Sequence, residues 1–314
     1  MHQSQPIRIE TADYASFVTC RTIQSRLWLV NNPLLQKRIL ASLAKYQNTH
    51  TVTLYAFVLQ GNHYHECAQF PLLNRSGFYR DFNATTAKAV NFFVSDRCGG
   101  PVFERRYSEQ AVPKTKEDIL ERIFYCALQP VLAGLCERVE DYPAYNSFFD
   151  LIDGKAREFQ WTDWRKYNAA KRWKKNAKVE DYTITATLKF SRPPGFEDMS
   201  QEEFKQLMLA ELERRRLAII AQRKQESKGF LGKKALLRTK PGSFPINTKK
   251  SKQFSRRPLI LTVCEIARKT FHDFYFSIFR RYKKASREYL SGDHSAIFPP
   301  GTYKPPLFLV PMYS

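Results

Sequence analysis

Residues 50–60 (HTVTLYAFVLQ) and 63–70 (HYHECAQF) are two runs rich in β-branched and aromatic side chains, separated by Gly61-Asn62. A tight-turn dipeptide between two strand-like runs predicts an antiparallel hairpin, and the elements around it take their places from that pair. Upstream, residues 16–22 (SFVTCRT) read as a short strand. Residues 33–47 (PLLQKRILASLAKYQ) read as a helix with Pro33 in its first turn. Downstream, 76–96 read as a helix, Gly99-Gly100-Pro101 break it, and 102–112 hold a further strand. Thr115, with Asp118 three positions on, opens a helix that runs to Pro130, where the missing N–H ends or kinks it. The order strand, helix, strand, strand, helix, strand, helix predicts an α+β class, with a ferredoxin-like antiparallel sheet and helices on one face, over a domain of residues 10–153.

The rest of the chain, 154–314, reads as a basic, mainly helical extension. Thr162 heads a basic segment, Ser200 and Glu203 form a capping box for a helix over 201–226, 228–257 read as a loop, and another helical region lies near 259–290. Charge divides the chain at the same place. Residues 1–153 carry 16 basic and 15 acidic side chains, whereas 154–314 carry 35 and 15. A net charge of +21 concentrated in one half points to a polyanion and away from ordinary metabolic substrates. Neither end has the polybasic, amphipathic or lipidated layout of a membrane-surface binder, no apolar run is long enough to span a bilayer, and the first residues lack a secretory layout. Nucleic acid is therefore the expected partner and the cytoplasm, beside the nucleoid, the expected location. Six cysteines without a CxxC pair argue against both a disulfide framework and a zinc ribbon.

The hairpin carries His63-Tyr64-His65. Alternation along a strand puts both imidazoles on one face and Tyr64 on the other, and two neutral imidazoles so placed can grip one divalent cation. On the helix after Thr115, Tyr125 and Gln129 lie four residues apart on one face, a phenol and an amide oxygen that can serve one phosphate as nucleophile and third metal ligand.

These residues carry a resemblance. GNHYH after a strand is similar to the His-hydrophobic-His (HUH) motif of single-tyrosine transposases, especially the REP-associated tyrosine transposases. IFYCALQPVLAGL resembles their YxxxNPxxxGL segment, with Gln129 where many relatives carry Asn, and SFVTCRT and ERRYS match further positions, so the likeness covers about residues 14–150. AIFPPGTYKP (296–305) resembles the FPxGTY segment of a long-form subgroup. The resemblance implies a transposase that cuts and rejoins single-stranded DNA at hairpin-flanked sites. Tyr125 would be the nucleophile, His63, His65 and Gln129 the ligands of Mg²⁺ or Mn²⁺, and a 5′-phosphotyrosine with a free 3′-OH the intermediate. Two imidazoles would equally suit zinc. Candidate DNA contacts are Arg105, Arg106, Lys171, Arg172, Lys174, Lys175, Arg280, Arg281, Lys283 and Lys284, with Trp161, Trp164, Trp173, Tyr275 and Tyr282 interleaved for stacking. A replication initiator or relaxase, and a non-catalytic hairpin-binding relative, are the rival functions; a monomer is expected, with a homodimer open. Glu66 falls where the family has an apolar residue, on the face away from the histidines.

Overall fold

The computed structural model describes residues 7–94, 99–245 and 259–307. Strands β1 (Tyr14–Arg21), β2 (Thr53–Leu59), β3 (His63–Gln69) and β4 (Ser108–Pro113) form one antiparallel sheet in the order β2-β3-β1-β4. Helices α1 (Pro33–His50) and α2 (Arg75–Phe93) pack on each other over one face, and α3 (Lys116–Leu132) crosses the other against β2, β3 and β4. The α+β class, the strand order and the placing of α1 and α2 are the ferredoxin-like arrangement expected from the element order; α3 departs from the expected one-sided layer by covering the opposite face, where Phe17, Cys67 and His65 offer it an apolar and aromatic surface.

Local chemistry accounts for most boundaries. Asn32 accepts from the Leu35 N–H and Pro33 occupies the first turn of α1, while Thr115 accepts from the Asp118 N–H to start α3. The hairpin closes through the Gln60 N–H to the His63 carbonyl at 2.8 Å. Gly61 is needed there for room: a Cβ would stand 2.8 Å from Val30 Cγ1 and 2.9 Å from Leu27 Cδ2.

The sequence suggested that Pro130 would end or kink the helix; it does not end it, and α3 continues to Leu132. One lost hydrogen bond in a last turn is a small cost. The turn is closed by Gly134 at a φ of +70°, whose N–H reaches the Val131 carbonyl (3.0 Å) while the Leu135 N–H reaches that of Pro130 (2.8 Å). The GL pair after QPVLA is thus the C-terminal cap of the tyrosine helix.

Beyond residue 153 the chain forms α5 (Trp164–Lys171), α6 (Gln201–Gln225), α7 (Lys233–Arg238) and α8 (Glu265–Leu290), preceded by the short α4 (Phe148–Ile152). It is mainly helical, with one addition the sequence reading lacked: β5 (Arg157–Thr162) and β6 (Thr183–Leu188) pair as an antiparallel ribbon against α1. Asp163, not Thr162, caps α5 by accepting from the Lys166 N–H. Ser200 and Glu203 form the expected reciprocal capping box on α6. Cys98 and residues 95–96 of the expected second helix lie outside the described residues, as do 246–257 of the expected loop, whose described part contains α7. Cys20, Cys67, Cys126 and Cys136 are free and buried, and Cys264 is free and exposed.

The two halves share one hydrophobic cluster: Phe204, Met208 and Leu212 of α6 join Phe124 and Val131 of α3, and Ala186 and Leu188 of β6 join Leu43 and Leu54. Both rims of the sheet are covered. Against β2, the Leu59 N–H bonds the Tyr145 carbonyl (2.9 Å) and the Ser191 N–H bonds that of Leu54 (2.7 Å). Against β4, Ala111 exchanges bonds with Leu259 and Leu261 at 2.9 and 2.8 Å.

The FPPGTY segment has a structural place. The Glu10 N–H donates to the Gly301 carbonyl (2.8 Å), Tyr303 Oη donates to Glu10 Oε1 (2.8 Å), and the same carboxylate accepts from the Ser76 N–H (2.7 Å) at the start of α2. Gly301 sits at a φ of +73°, and a Cβ there would fall on the Glu10 carbonyl oxygen. Gly301→Ala is expected to lower stability by about 2 kcal/mol, read by chemical denaturation; an unchanged midpoint would mean that the tail does not dock on Glu10.

Candidate active site on the open sheet face

Sheet register, rather than sequence proximity, assembles the site. Across β1 and β3, Phe17 pairs with Cys67, Thr19 with His65 and Arg21 with His63, so these six side chains share a face. That face is the one α3 crosses. The opposite face carries Tyr64 and Glu66, which meet Asn83 and Tyr79 of α2 at 2.7 and 2.9 Å.

The two imidazoles converge through their Nε2 atoms, 3.1 Å apart. Each ring is held from behind: His63 Nδ1 lies 2.7 Å from Asn62 Oδ1, and His65 Nδ1 lies 2.7 Å from Thr19 Oγ1. The Asn62 oxygen can only accept, so His63 carries its proton on Nδ1 and turns the Nε2 lone pair to the shared point. The Thr19 hydroxyl can accept or donate, so His65 is free to do the same. Burial, with the Arg21 charge added, pulls the His63 imidazole down to about 4. Burial, then His63, then Arg21, hold His65 well below its ordinary value. Both rings are therefore neutral at neutral pH.

Tyr125 reaches this point from α3. Its ring lies 5.5 Å from that of His65 and 5.3 Å from that of Phe17, edge-on to both, and 37% of the residue remains exposed. Phe17 stacks on His65 at 5.4 Å, closing a three-ring cluster. Burial raises the phenol above its ordinary value and the Cys126 thiol adds to this, while a hydrogen bond from Gln129 and the Arg122 charge oppose them. Gln129 lies one turn on, on the same side of α3 as Tyr125. Cys67 and Cys126 lie beneath the site with thiols pushed far up by burial, which keeps them inert.

The tyrosine helix is held by α6. Arg215 pairs with Glu121 through Nη1 to Oε2 (3.0 Å) and Nη2 to Oε1, and its guanidinium lies 4.5 Å from the Phe124 ring centroid. Arg223 donates to the Leu132 carbonyl at the helix end (3.3 Å). Within the chain, α3 thus lies across the sheet face that carries the histidines.

Among the described residues no cluster of three or more His, Cys, Asp or Glu side chains could hold a metal ion. A cation here would have two imidazoles and would need an amide or the substrate to complete its shell. The pair itself fits one: two nitrogens bound at about 2.1 Å and at right angles stand about 3 Å apart, the separation observed.

All ten candidate DNA-contact residues are exposed. Arg105 and Arg106 follow Glu104, whose N–H bonds the Arg21 carbonyl (3.0 Å), which puts them beside the histidine end of the sheet. The other eight lie on α5, the turns after it, and α8. Of the aromatics expected to interleave with them, Trp161 and Tyr275 are buried instead, Trp161 beneath Arg38 at 3.6 Å and Tyr275 against Phe271. Trp173 is 91% exposed. Thr19, Asn62, Phe17 and Arg122 complete the site without having been assigned a role; Asn62 lay within GNHYH, and Phe17 and Thr19 within SFVTCRT.

No helix among the described residues is long and apolar enough to cross a membrane. No family model and no curated protein matches the chain. Among solved structures it is similar to a REP-associated tyrosine transposase bound to a REP hairpin, with 17% identity and a TM-score of 0.39, over 48% of this chain and 85% of that one.

Proposed function

We propose that the protein is a single-tyrosine HUH transposase that cleaves and rejoins single-stranded DNA beside hairpins. The observation carrying this reading is the convergence of His63 Nε2, His65 Nε2 and the Tyr125 ring on one open face, from segments sixty residues apart.

In this reading the phenol enters protonated, since its surroundings raise its pKa. Tyr125 Oη bonds to phosphorus and the bond from phosphorus to the 3′ oxygen breaks. The phenolic proton leaves to solvent, and the 3′ oxygen takes one up. The products are a 5′-phosphotyrosine and a free 3′-OH, which can reverse the step without another energy source. His63, His65 and Gln129 would hold Mg²⁺ or Mn²⁺, which supplies Lewis-acid polarisation of a phosphate oxygen. Asn62 and Thr19 fix the ring orientations, and Gln129 steadies the phenol. Unpaired DNA suits the site because a phosphodiester must bend across an open sheet face.

The excursion between β5 and β6 supplies the surface proposed for hairpin DNA. Lys171, Arg172, Lys174 and Lys175 surround exposed Trp173, and none has an acidic partner among the described residues. The arginines of α6 differ: Arg214, Arg215 and Arg216 are each paired with glutamates. Base stacking is worth about 1–3 kcal/mol, so Trp173→Ala is expected to weaken binding of a fluorescent hairpin oligonucleotide about tenfold or more. Unchanged anisotropy curves would remove Trp173 from the interface.

The function is tested by incubating the protein and Mn²⁺ with single-stranded oligonucleotides drawn from the inverted repeats flanking its gene, followed by a denaturing gel. A covalent protein–DNA band that EDTA suppresses supports the reading. Hairpin binding with no adduct on any of these oligonucleotides makes the protein a binder.

A further inference from the structure

We infer that Arg122 binds the substrate phosphate, its guanidinium taking a non-bridging oxygen of the phosphodiester that Tyr125 attacks. The inference rests on the nuclease reading above and adds the group that would neutralise the reacting phosphate.

Arg122 lies one turn before Tyr125 on the same face of α3. Its Cζ is 5.6 Å from the centroid of the Tyr125 ring and 5.8 Å from that of Phe17, the ring that stacks on His65. The guanidinium and the His65 imidazole therefore both lie against the same two aromatic rings, one of them the ring of Tyr125.

What singles out Arg122 is a missing partner. Its Nε is cut off from solvent and has no hydrogen-bond acceptor. Among the described residues the side chain makes no ion pair and donates no hydrogen bond. Arg75 and Arg223 also have an Nε without an acceptor, but their terminal nitrogens are engaged, Arg75 by Glu109, Ser16 and the Ile9 carbonyl and Arg223 by the Leu132 and Gly229 carbonyls, while Arg157 is held by Asp150 and Arg215 by Glu121 and Glu211. The carboxylate next in sequence, Glu121, is already engaged by Arg215. A guanidinium partly withdrawn from water and facing no acceptor carries a desolvation cost that no group of the protein offsets. Its planar fork of donors matches two oxygens of a phosphate, and an arriving phosphodiester supplies the absent acceptors.

In the reaction the guanidinium stays protonated throughout. The bond from Tyr125 Oη to phosphorus forms and the bond to the 3′ oxygen breaks, as above. Arg122 holds the charge on the non-bridging oxygen as the phosphorus passes through five-coordination.

The test compares covalent adduct formation by wild type, Arg122→Ala and Arg122→Lys on the oligonucleotide the wild type cleaves, made with either a phosphodiester or a neutral methylphosphonate at the cleaved linkage. On the phosphodiester, Arg122→Ala is expected to slow adduct formation about 100-fold, with Arg122→Lys recovering part of the loss. On the methylphosphonate, which lacks the charge to be neutralised, the penalty of Arg122→Ala is expected to shrink to about threefold or less. Melting temperatures report folding, and if Arg122→Ala melts early, Arg122→Gln, which keeps the stem against Phe17, replaces it. An equal penalty on both linkages, or no penalty, overturns the inference while the wild-type adduct leaves the nuclease reading standing. No adduct with wild type on any oligonucleotide removes both.

Discussion

Tyr125→Phe is expected to eliminate the covalent protein–DNA band, a loss of at least about 10³-fold, while hairpin affinity and the melting temperature stay at their wild-type values. The separation follows from where the side chain sits. Its ring packs edge-on against Phe17 and His65, contacts a phenylalanine reproduces, and the residue is part-exposed, so losing the hydroxyl costs little. Only the oxygen that attacks phosphorus is removed. The measurement is a denaturing gel beside an anisotropy titration on the same oligonucleotide. A band that persists in the variant would assign the nucleophile to another residue and end the role given to this phenol.

The second large effect concerns stability. Glu66 is fully buried in β3, accepts from Tyr79 Oη at 2.9 Å, and has no partner for Oε2. Burial pushes its carboxyl up to about 8, with the Tyr79 bond opposing. An unfolded carboxyl titrates near 4.5, so the folded chain holds a proton that the unfolded chain releases. Stability is then complete below pH 4.5, falls as the pH rises towards 8, and levels off above it. At about 1.4 kcal/mol per unit, the deficit at pH 7 is about 3 kcal/mol. Glu66→Gln keeps the acceptor for Tyr79 and has no proton to lose, so it is expected to gain about that much at pH 7 and nothing at pH 4. Urea unfolding across this range reads the difference; parallel profiles for the two proteins would show that the carboxyl does not titrate as its burial implies.

What was legible in the sequence is what local chemistry decides. The Gly61-Asn62 hairpin, the Thr115 cap and the Ser200–Glu203 box each involve neighbours a few residues apart, and the structure has all three. Strand alternation put His63 and His65 on one face and Glu66 on the other before any coordinates. The ribbon of β5 and β6 left a signal that went unread: TITATL is a β-branched run, and Phe159 and Trp161 alternate with polar residues, but the basic segment between them drew attention to charge. Thr19, Phe17 and Arg122 could not be found this way. Thr19 and Phe17 reach His65 only through the β1–β3 register, and Arg122 gains significance only once its lack of an acceptor is visible.

The coverage of both sheet rims has a consequence for how this molecule can be divided. The segments at 189–191 and 259–261 come from the charged half, so excision at residue 153 would free the Leu54 carbonyl of β2 and both backbone groups of Ala111 in β4, and strip α6 from the tyrosine helix. Such a fragment would be a template for strand addition by its own copies. The extension is in this sense a chaperone fused to the four-stranded core, supplying the groups that occupy part of both its rims.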